Sequence, residues 1–395
     1  MELNIIVQDK DELDVRKVLE FIEKQDNRKF VLIYSALKDE MTRLNFFTSL
    51  LKKNDYDFLA CNFSGFITNS GYYNDAIAVC VFSGDFQAEI HHIPIEYKNI
   101  EETEKRINQK IRGDELCITY TANLFQENYK IDKILRGMQE KNPMMQIFGA
   151  SCSCSPPPMI ATRDGIFSDV FGLVLIKKID TVFEIDTGFD LDMTSSHEFK
   201  ITKCDEDVIT QIDGKNAAQE FQRIQHVRDY LFNRVMEMVS KQDVMDLPKY
   251  FKGANEIILD VVNQGYKNLL ANKSEHGFIN LFVTIQIEEN RIRLTNYRPE
   301  GTTLKKTKTN PEKQLATYDR LYEKYPNAKA IILSDCAMRP YYYEYNIKEA
   351  TKRLQKFKQP FISPLVWGEF GTYLPYENPE ENILHNATIK ALMFE

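Results

Sequence analysis

The chain of 395 residues has no apolar run near the ~20 residues that a membrane span needs, so no transmembrane helix is expected. Its first residues, Met1-Glu2-Leu3-Asn4-Ile5-Ile6, lack a basic stretch followed by an apolar one, so no signal peptide is expected. No block of lysine and arginine stands out and the formal net charge is -8, which argues against a nucleic-acid partner. The short basic stretch Lys305-Lys306-Thr307-Lys308 reads as a solvated loop. Also missing are a phosphate loop, a G-x-S-x-G elbow, an H-E-x-x-H helix and a dinucleotide fingerprint, so no cofactor is expected. The seven cysteines are odd in number, and Cys61, Cys80 and Cys117 lie in apolar strand-like runs. Buried, reduced thiols of a cytoplasmic protein account for them. Cys152-Ser153-Cys154 is spaced too tightly for a zinc knuckle and has no second pair, so no metal is expected. His91 and His92 are adjacent, and on a strand they face opposite ways.

What is present is an ordinary globular composition, 43% hydrophobic and 27% charged, and a module written three times. Each copy has an apolar strand, a polar helix, a second strand ending in small or polar residues, and a returning β segment. The first runs from Val31-Leu32-Ile33-Tyr34 through a helix at Thr42–Leu51 to Leu59–Gly65, and closes on Ala76–Phe82. The second runs from Leu116-Cys117-Ile118-Thr119 through Asp132–Gln139 to Ile147–Ser151, closing on Val170–Ile176. The third runs from Ile331-Ile332-Leu333-Ser334 through Ile347–Phe357 to Val366–Gly371, closing on Thr388–Phe394. One such unit cannot bury both faces of its sheet, so the units must pack together, with the small-residue turns at Gly65, Gly149 and Gly368 in equivalent places.

Asn4–Val7 reads as a strand, followed by a helix through Leu13, Val18, Leu19 and Ile22 capped by Asp9 or Asp11. Ala76–Phe82 and Gln87–Ile93, joined at Gly84-Asp85, read as an antiparallel hairpin. Ser155-Pro156-Pro157-Pro158 makes a stiff loop. Thr181–Phe189 continues the sheet, and two short strands surround the acidic turn near Asp205-Glu206-Asp207. Long helices are expected over Asn216–Ser240 and Gly253–Leu270, then a hairpin of Phe278–Ile287 and Arg291–Tyr297. The expected fold is α/β with mixed sheets, two related parts of repeated units, sheets face to face and helices outside. The boundary falls at 215/216, giving parts 1–215 and 216–395.

Three motifs in the last 70 residues resemble the C-terminal part of the FIST family: Ser334-Asp335-Cys336-Ala337-Met338-Arg339, Gly368-Glu369-Phe370-Gly371, and His385-Asn386-Ala387-Thr388. Earlier turns resemble its N-terminal part: Ala60-Cys61-Asn62-Phe63-Ser64-Gly65, with Ala60 where the family has glycine, and Phe148-Gly149-Ala150-Ser151. Ile201–Lys203, Ile212–Ala217 and Arg298–Thr302 complete the likeness, while residues 216–272 are longer than usual. The resemblance implies a cytoplasmic sensory protein that binds a small molecule such as an amino acid and signals through a protein partner or by self-association. It implies a ligand site drawn from Cys336, Arg339, Gly368, Glu369, His385 and Asn386, with Ser64 and Ser151 from the N-terminal turns.

These residues admit more than one chemistry. Arg339 offers a planar fork to a carboxylate and Glu369 a partner to an ammonium, which suits an amino acid. Alternatively Arg339 and Glu369 pair with each other as a support. Cys336 could be a nucleophile of a hydrolase or acyltransferase, with His385 as base and Glu369 as its orienter; a packed thiol is the simpler account. His385-Asn386 could instead fix the turn into the last strand, leaving a scaffold without a ligand. Tyr341-Tyr342-Tyr343-Glu344-Tyr345 either lines a pocket mouth or covers a sheet edge.

Overall fold

The computed structural model describes residues 1–25, 29–53, 56–113, 115–123, 127–152, 157–177, 179–194, 197–225, 232–234, 237, 269–274, 277–374 and 383–395. Three six-stranded sheets repeat one plan. In each unit a leading strand pairs in parallel with the strand that follows its helix: Lys29–Ser35 with Phe58–Asn62, Leu116–Ala122 with Gln146–Ser151, and Ala330–Cys336 with Phe361–Val366. A return strand lies antiparallel on the leading strand's other side: Ala76–Ser83, Val170–Lys177 and Ile389–Phe394. A parallel pair needs a crossover, and the helices Glu40–Lys53, Asn128–Lys141 and Ile347–Leu354 supply it.

Between the second strand and the return strand each unit sends out a small hairpin, and no unit keeps its own. The hairpin of the first unit, Phe66–Thr68 with Gly71–Tyr73, adds to the sheet of the third. That of the second, Ile160–Thr162 with Gly165–Phe167, adds to the first. That of the third, Glu369–Gly371 with Leu384–His385, adds to the second. The outer edges are exchanged likewise: Gln87–Pro94 leaves the first unit to flank Val170–Lys177, and Thr181–Asp186 leaves the second to flank Ile389–Phe394. The N-terminal strand Glu2–Asp9 takes the matching place beside Ala76–Ser83. The three sheets therefore close in a ring.

Strand alternation decides which residues face the centre. Leu32, Tyr34, Ile118, Tyr120, Ala330 and Ile332 meet in one shared core. Their neighbours Val31 and Ile33, Cys117, and Ile331 and Leu333 face outward onto the helices. From Asn128–Lys141, Ile131, Ile134, Leu135 and Met138 recur at helical spacing on the buried side. At the centre the Tyr34 and Tyr120 hydroxyls share a 2.8 Å hydrogen bond, and Ser334 Oγ donates to the Gly149 carbonyl at 3.0 Å.

A fourth sheet is built from Leu270–Lys273, Ile279–Phe282, Thr303–Lys308, Phe199–Asp205, Val208–Ile212, Ile292–Leu294 and Thr284–Ile287, with Asp190–Leu191 and Lys215–Asn216 at its margins. It covers the strand ends of the third unit, where its apolar residues pack with Cys336, Leu365, Trp367 and Ala387. The expected boundary at 215/216 runs through Lys215–Asn216, and residues from both sides of it share three of the four sheets.

Several local expectations change. Ala76–Ser83 and Gln87–Pro94 are not a hairpin, because Ala76–Ser83 already has Glu2–Asp9 and Lys29–Ser35 on its two edges. Asp14, rather than Asp9 or Asp11, caps Val15–Glu23, accepting from Arg16 N at 2.9 Å. The basic run at Lys305–Lys308 is part of the strand Thr303–Lys308 rather than a loop. Gly65 and Gly368 each sit one residue before a hairpin, but Gly149 lies inside a strand. A Cβ there would stand 1.7 Å from the Thr119 carbonyl oxygen, so close strand approach demands glycine. Of the helix expected over Asn216–Ser240, Ala217–Gln225 forms a helix and most of the remainder lies outside the described residues. The helix expected at Gly253–Leu270 lies outside them too, apart from Leu269 and Leu270.

Candidate ligand site at the strand ends of the third unit

Because the sheets share one register, positions can be compared across units. Tyr34, Tyr120 and Ser334 are equivalent, facing Ala78, Gly172 and Lys390 on the return strands. The next positions are Ser35, Thr121 and Asp335, then Ala36, Ala122 and Cys336. Hairpin positions give Phe66, Ile160 and Glu369, paired across to Tyr73, Phe167 and His385. Where two units carry small, apolar or neutral residues, the third carries Asp335, Cys336, Glu369, His385 and Lys390, all buried. The fold is built twice without these groups, so its packing does not require them. Buried ionisable groups are costly unless they are paired, and a cluster of them in one copy marks a functional candidate.

Glu369 is fully buried. Its Oε2 accepts from Thr388 N–H at 3.2 Å and from Thr388 Oγ1 at 2.7 Å. The Cys336 thiol lies against the same carboxyl group, and Oε1 has no hydrogen-bond partner among the described residues. Burial pushes Glu369 up to about 7, against the pull of Thr388, Cys336 and Lys390. Lys390 Nζ donates to the carbonyls of Glu369, Gly371 and Ile383 at 2.9, 3.1 and 3.0 Å, fastening the swapped hairpin to its parent strand. Burial, and next the Glu369 carboxyl, push the Cys336 thiol well above the ordinary range. At neutral pH it is a protonated thiol, the reverse of the lowered pKa that a nucleophilic cysteine needs. His385 is cross-strand from Glu369 and packs against Phe278, ring centroids 5.0 Å apart.

Arg339 does not pair with Glu369. Its Nη1 donates to Asp335 Oδ1 at 2.6 Å, its Nε to Gln314 Oε1 at 3.2 Å, and its Nη2 to the Gln314 carbonyl at 2.7 Å and to Thr317 Oγ1 at 2.5 Å. Tyr318 hydroxyl gives Asp335 a further 2.6 Å bond. Burial works against the guanidinium charge, yet Asp335 beside it holds Arg339 above its ordinary value. The donors that were expected to hold a ligand carboxylate instead join this unit to the helix Pro311–Lys324.

Beside this cluster lies a small cavity that opens in part to solvent, the atom-free space there, adjoining solvent included, being about 340 Å³. It is lined by Val283, Cys336, Met338, Tyr342, Trp367, Asn386 and Ala387. Val283 comes from the fourth sheet, Cys336 and Met338 from the end of the leading strand, Trp367 from the turn before the hairpin, and Asn386 and Ala387 from the turn before the return strand. Asn386 Nδ2 donates to Thr295 Oγ1 at 2.8 Å, tying that turn to the fourth sheet. Trp367 is the chain's single tryptophan. Of the aromatic run, Tyr342 reaches the cavity, while Tyr343 is buried against the helices.

Cys336, Glu369, His385 and Asn386 are thus brought to one region. Ser151 is joined to the Trp367-Gly368 turn by two backbone bonds, Ser151 N to Gly368 O at 3.0 Å and Trp367 N to Ser151 O at 3.1 Å. Ser151 Oγ accepts from Thr121 Oγ1 at 3.0 Å and donates to Asn128 Oδ1 at 3.3 Å. Ser64 occupies in the first unit the place of Trp367 in the third, in a different turn. Trp367, Asp335 and Lys390 were not singled out from the sequence. Aligning the repeats position by position would have exposed the two charges, since each stands against neutral residues.

Among the described residues no helix is long and apolar enough to cross a membrane. Residues 29–215 match the family model of the FIST N domain. That family is generally considered a sensory, small-ligand-binding domain of signalling proteins. No curated protein matches the chain.

Proposed function

We propose that this protein, with its FIST N domain at residues 29–215, is a cytoplasmic sensor whose small ligand enters the cavity between the third unit's strand ends and the fourth sheet. The observation that carries the reading is the concentration of buried ionisable groups in the one repeat whose strand ends border this cavity. The wall formed by Val283, Met338, Tyr342 and Trp367 suits an apolar body, and Asn386 offers polar recognition at the edge. Behind Cys336, the open acceptor of Glu369 suits a hydrogen-bond donor such as the amine of an apolar amino acid. Arg339 is left out of the seat because its donors are committed to Asp335, Gln314 and Thr317. The likeness of the last 70 residues to the C-terminal part of FIST proteins belongs to this proposal. A ligand seated against Val283 and Asn386 would alter how the fourth sheet docks, and that change would be read by a protein partner or by self-association.

Trp367 makes the test direct, since all tryptophan emission reports the cavity wall. Purified protein is denatured and its supernatant examined by mass spectrometry, and refolded or ligand-stripped protein is titrated with a panel of amino acids and amines. A retained small molecule, or a saturable change in emission that is weakened in Asn386→Ala, supports the sensor. Neither a retained molecule nor any saturable change would sink it.

A further inference from the structure

Among the described residues three arginines are fully buried, Arg43, Arg298 and Arg339. Arg298 donates to the Tyr297 carbonyl, Asn280 Oδ1 and the Leu281 carbonyl, and Arg339 to the set described above. Arg43 has one bond, from Nη1 to the Leu37 carbonyl at 3.1 Å. Its Nε and Nη2 have no hydrogen-bond partner among the described residues, although the residue is only 1% exposed. Those two nitrogens are the parallel donors of one guanidinium edge, the fork that matches two oxygens of a carboxylate or phosphate. A buried cation with that edge unfilled is costly, and such groups point to an ion or water that completes them.

The place reinforces the chemistry. Arg43 rises from the first turns of Glu40–Lys53 beside the carboxyl-terminal ends of Lys29–Ser35 and Phe58–Asn62. Strand ends of this kind are where α/β sheets receive ligands, and the equivalent ends in the third unit border the cavity. Among the described residues no carboxylate answers the fork. Position 35 is serine where the third unit has Asp335. Asp39 is engaged with Thr42, accepting from its N–H at 2.6 Å and its Oγ1 at 2.5 Å, and Glu40 makes no hydrogen bond to Arg43. The nearby polar groups are also committed: Asn62 Oδ1 accepts from Met159 N at 2.7 Å, and Ser35 Oγ from Leu37 N at 3.4 Å. Burial depresses the Arg43 guanidinium, with Glu40, Cys152 and Asp39 only partly offsetting it.

We propose that the strand end of the first unit holds an anion site, separate from the cavity of the third, in which the Nε–Nη2 edge of Arg43 grips a compact oxyanion, a carboxylate or a phosphate. The full chain is titrated calorimetrically with sodium acetate and, separately, sodium phosphate, against sodium chloride at equal ionic strength and pH 7. Melting curves are recorded alongside. One of the two oxyanions is expected to bind saturably and to raise Tm above the chloride control, and which one does so distinguishes the planar from the tetrahedral ligand. Arg43→Lys, which keeps the charge but lacks the fork, should weaken binding at least about tenfold. Arg43→Met should abolish it while folding normally. Absence of saturable binding by either anion in the parent protein overturns the proposal. So does an unchanged response in Arg43→Lys, or in Arg43→Met, since phosphate also stabilises proteins through exclusion from their surface. Should Arg43→Met fail to fold, the parent titration and Arg43→Lys decide.

Discussion

The first and third units place a buried arginine after the same leading strand and treat it in opposite ways. In the third, Arg339 has Asp335, Gln314 and Thr317 built around it. In the first, Arg43 has among the described residues only the Leu37 carbonyl as a hydrogen-bond partner. One backbone plan therefore supports a completed ion pair at one strand end and an open guanidinium edge at another. The difference lies in the side chain that closes the leading strand, aspartate at 335 and serine at 35. Repetition supplies the scaffold, and departures from it locate the chemistry.

The sharpest way to break this contrast is to remove each arginine. Arg339→Ala leaves Asp335 buried without its cation and should cost about 3–5 kcal/mol of unfolding free energy, read from the denaturant midpoint. Arg43→Met in anion-free buffer should stay within about 1 kcal/mol of the parent, or gain, because it removes a buried charge that Glu40 and Asp39 offset only in part. Equal losses at the two sites would erase the distinction between a built pair and an open fork.

Glu369 separates the third unit from the others by pH. Its folded value of about 7 lies above its ordinary carboxyl value. The folded state therefore favours the protonated form, and the associated stability is present in full below the ordinary carboxyl pKa. It is lost as pH rises through about 7 and does not return above that. A shift of this size corresponds to about 3 kcal/mol. In Glu369→Gln the fall in stability between about pH 4.5 and 7 should flatten. An unchanged profile would show that Glu369 does not carry that pH dependence.

The thiol gives the smallest expected change. Cys336→Ala restores the residue found at positions 36 and 122 and should cost about 1 kcal/mol or less, with Glu369 still held by Thr388. Iodoacetamide should leave Cys336 unmodified at neutral pH in the folded protein. Rapid stoichiometric alkylation there would revive the cysteine-dependent hydrolase.

The sequence was sufficient for the units themselves. Apolar alternation and helical spacing gave the strands and crossover helices of all three, and the two short strands around Glu206 formed as read. Periodicity reports which face of an element is buried, and that is a local property. It does not report which strand lies alongside. Gly84-Asp85 looks the same whether the chain folds back or crosses to the next sheet. Only the occupied edges of Ala76–Ser83 force the crossing. The residue types at the candidate site were likewise legible, since Cys336, Glu369, His385 and Asn386 stand in short motifs. Their partners were not. Arg339 found Asp335 four residues before it, at the end of the leading strand, and Gln314 twenty-five residues away, rather than Glu369, because partner choice depends on where the helix Pro311–Lys324 docks. The local pattern of apolar and polar residues determined the three units, and the tertiary structure, by exchanging hairpins and edges among them, decided which buried charges would be neutralised and which left open.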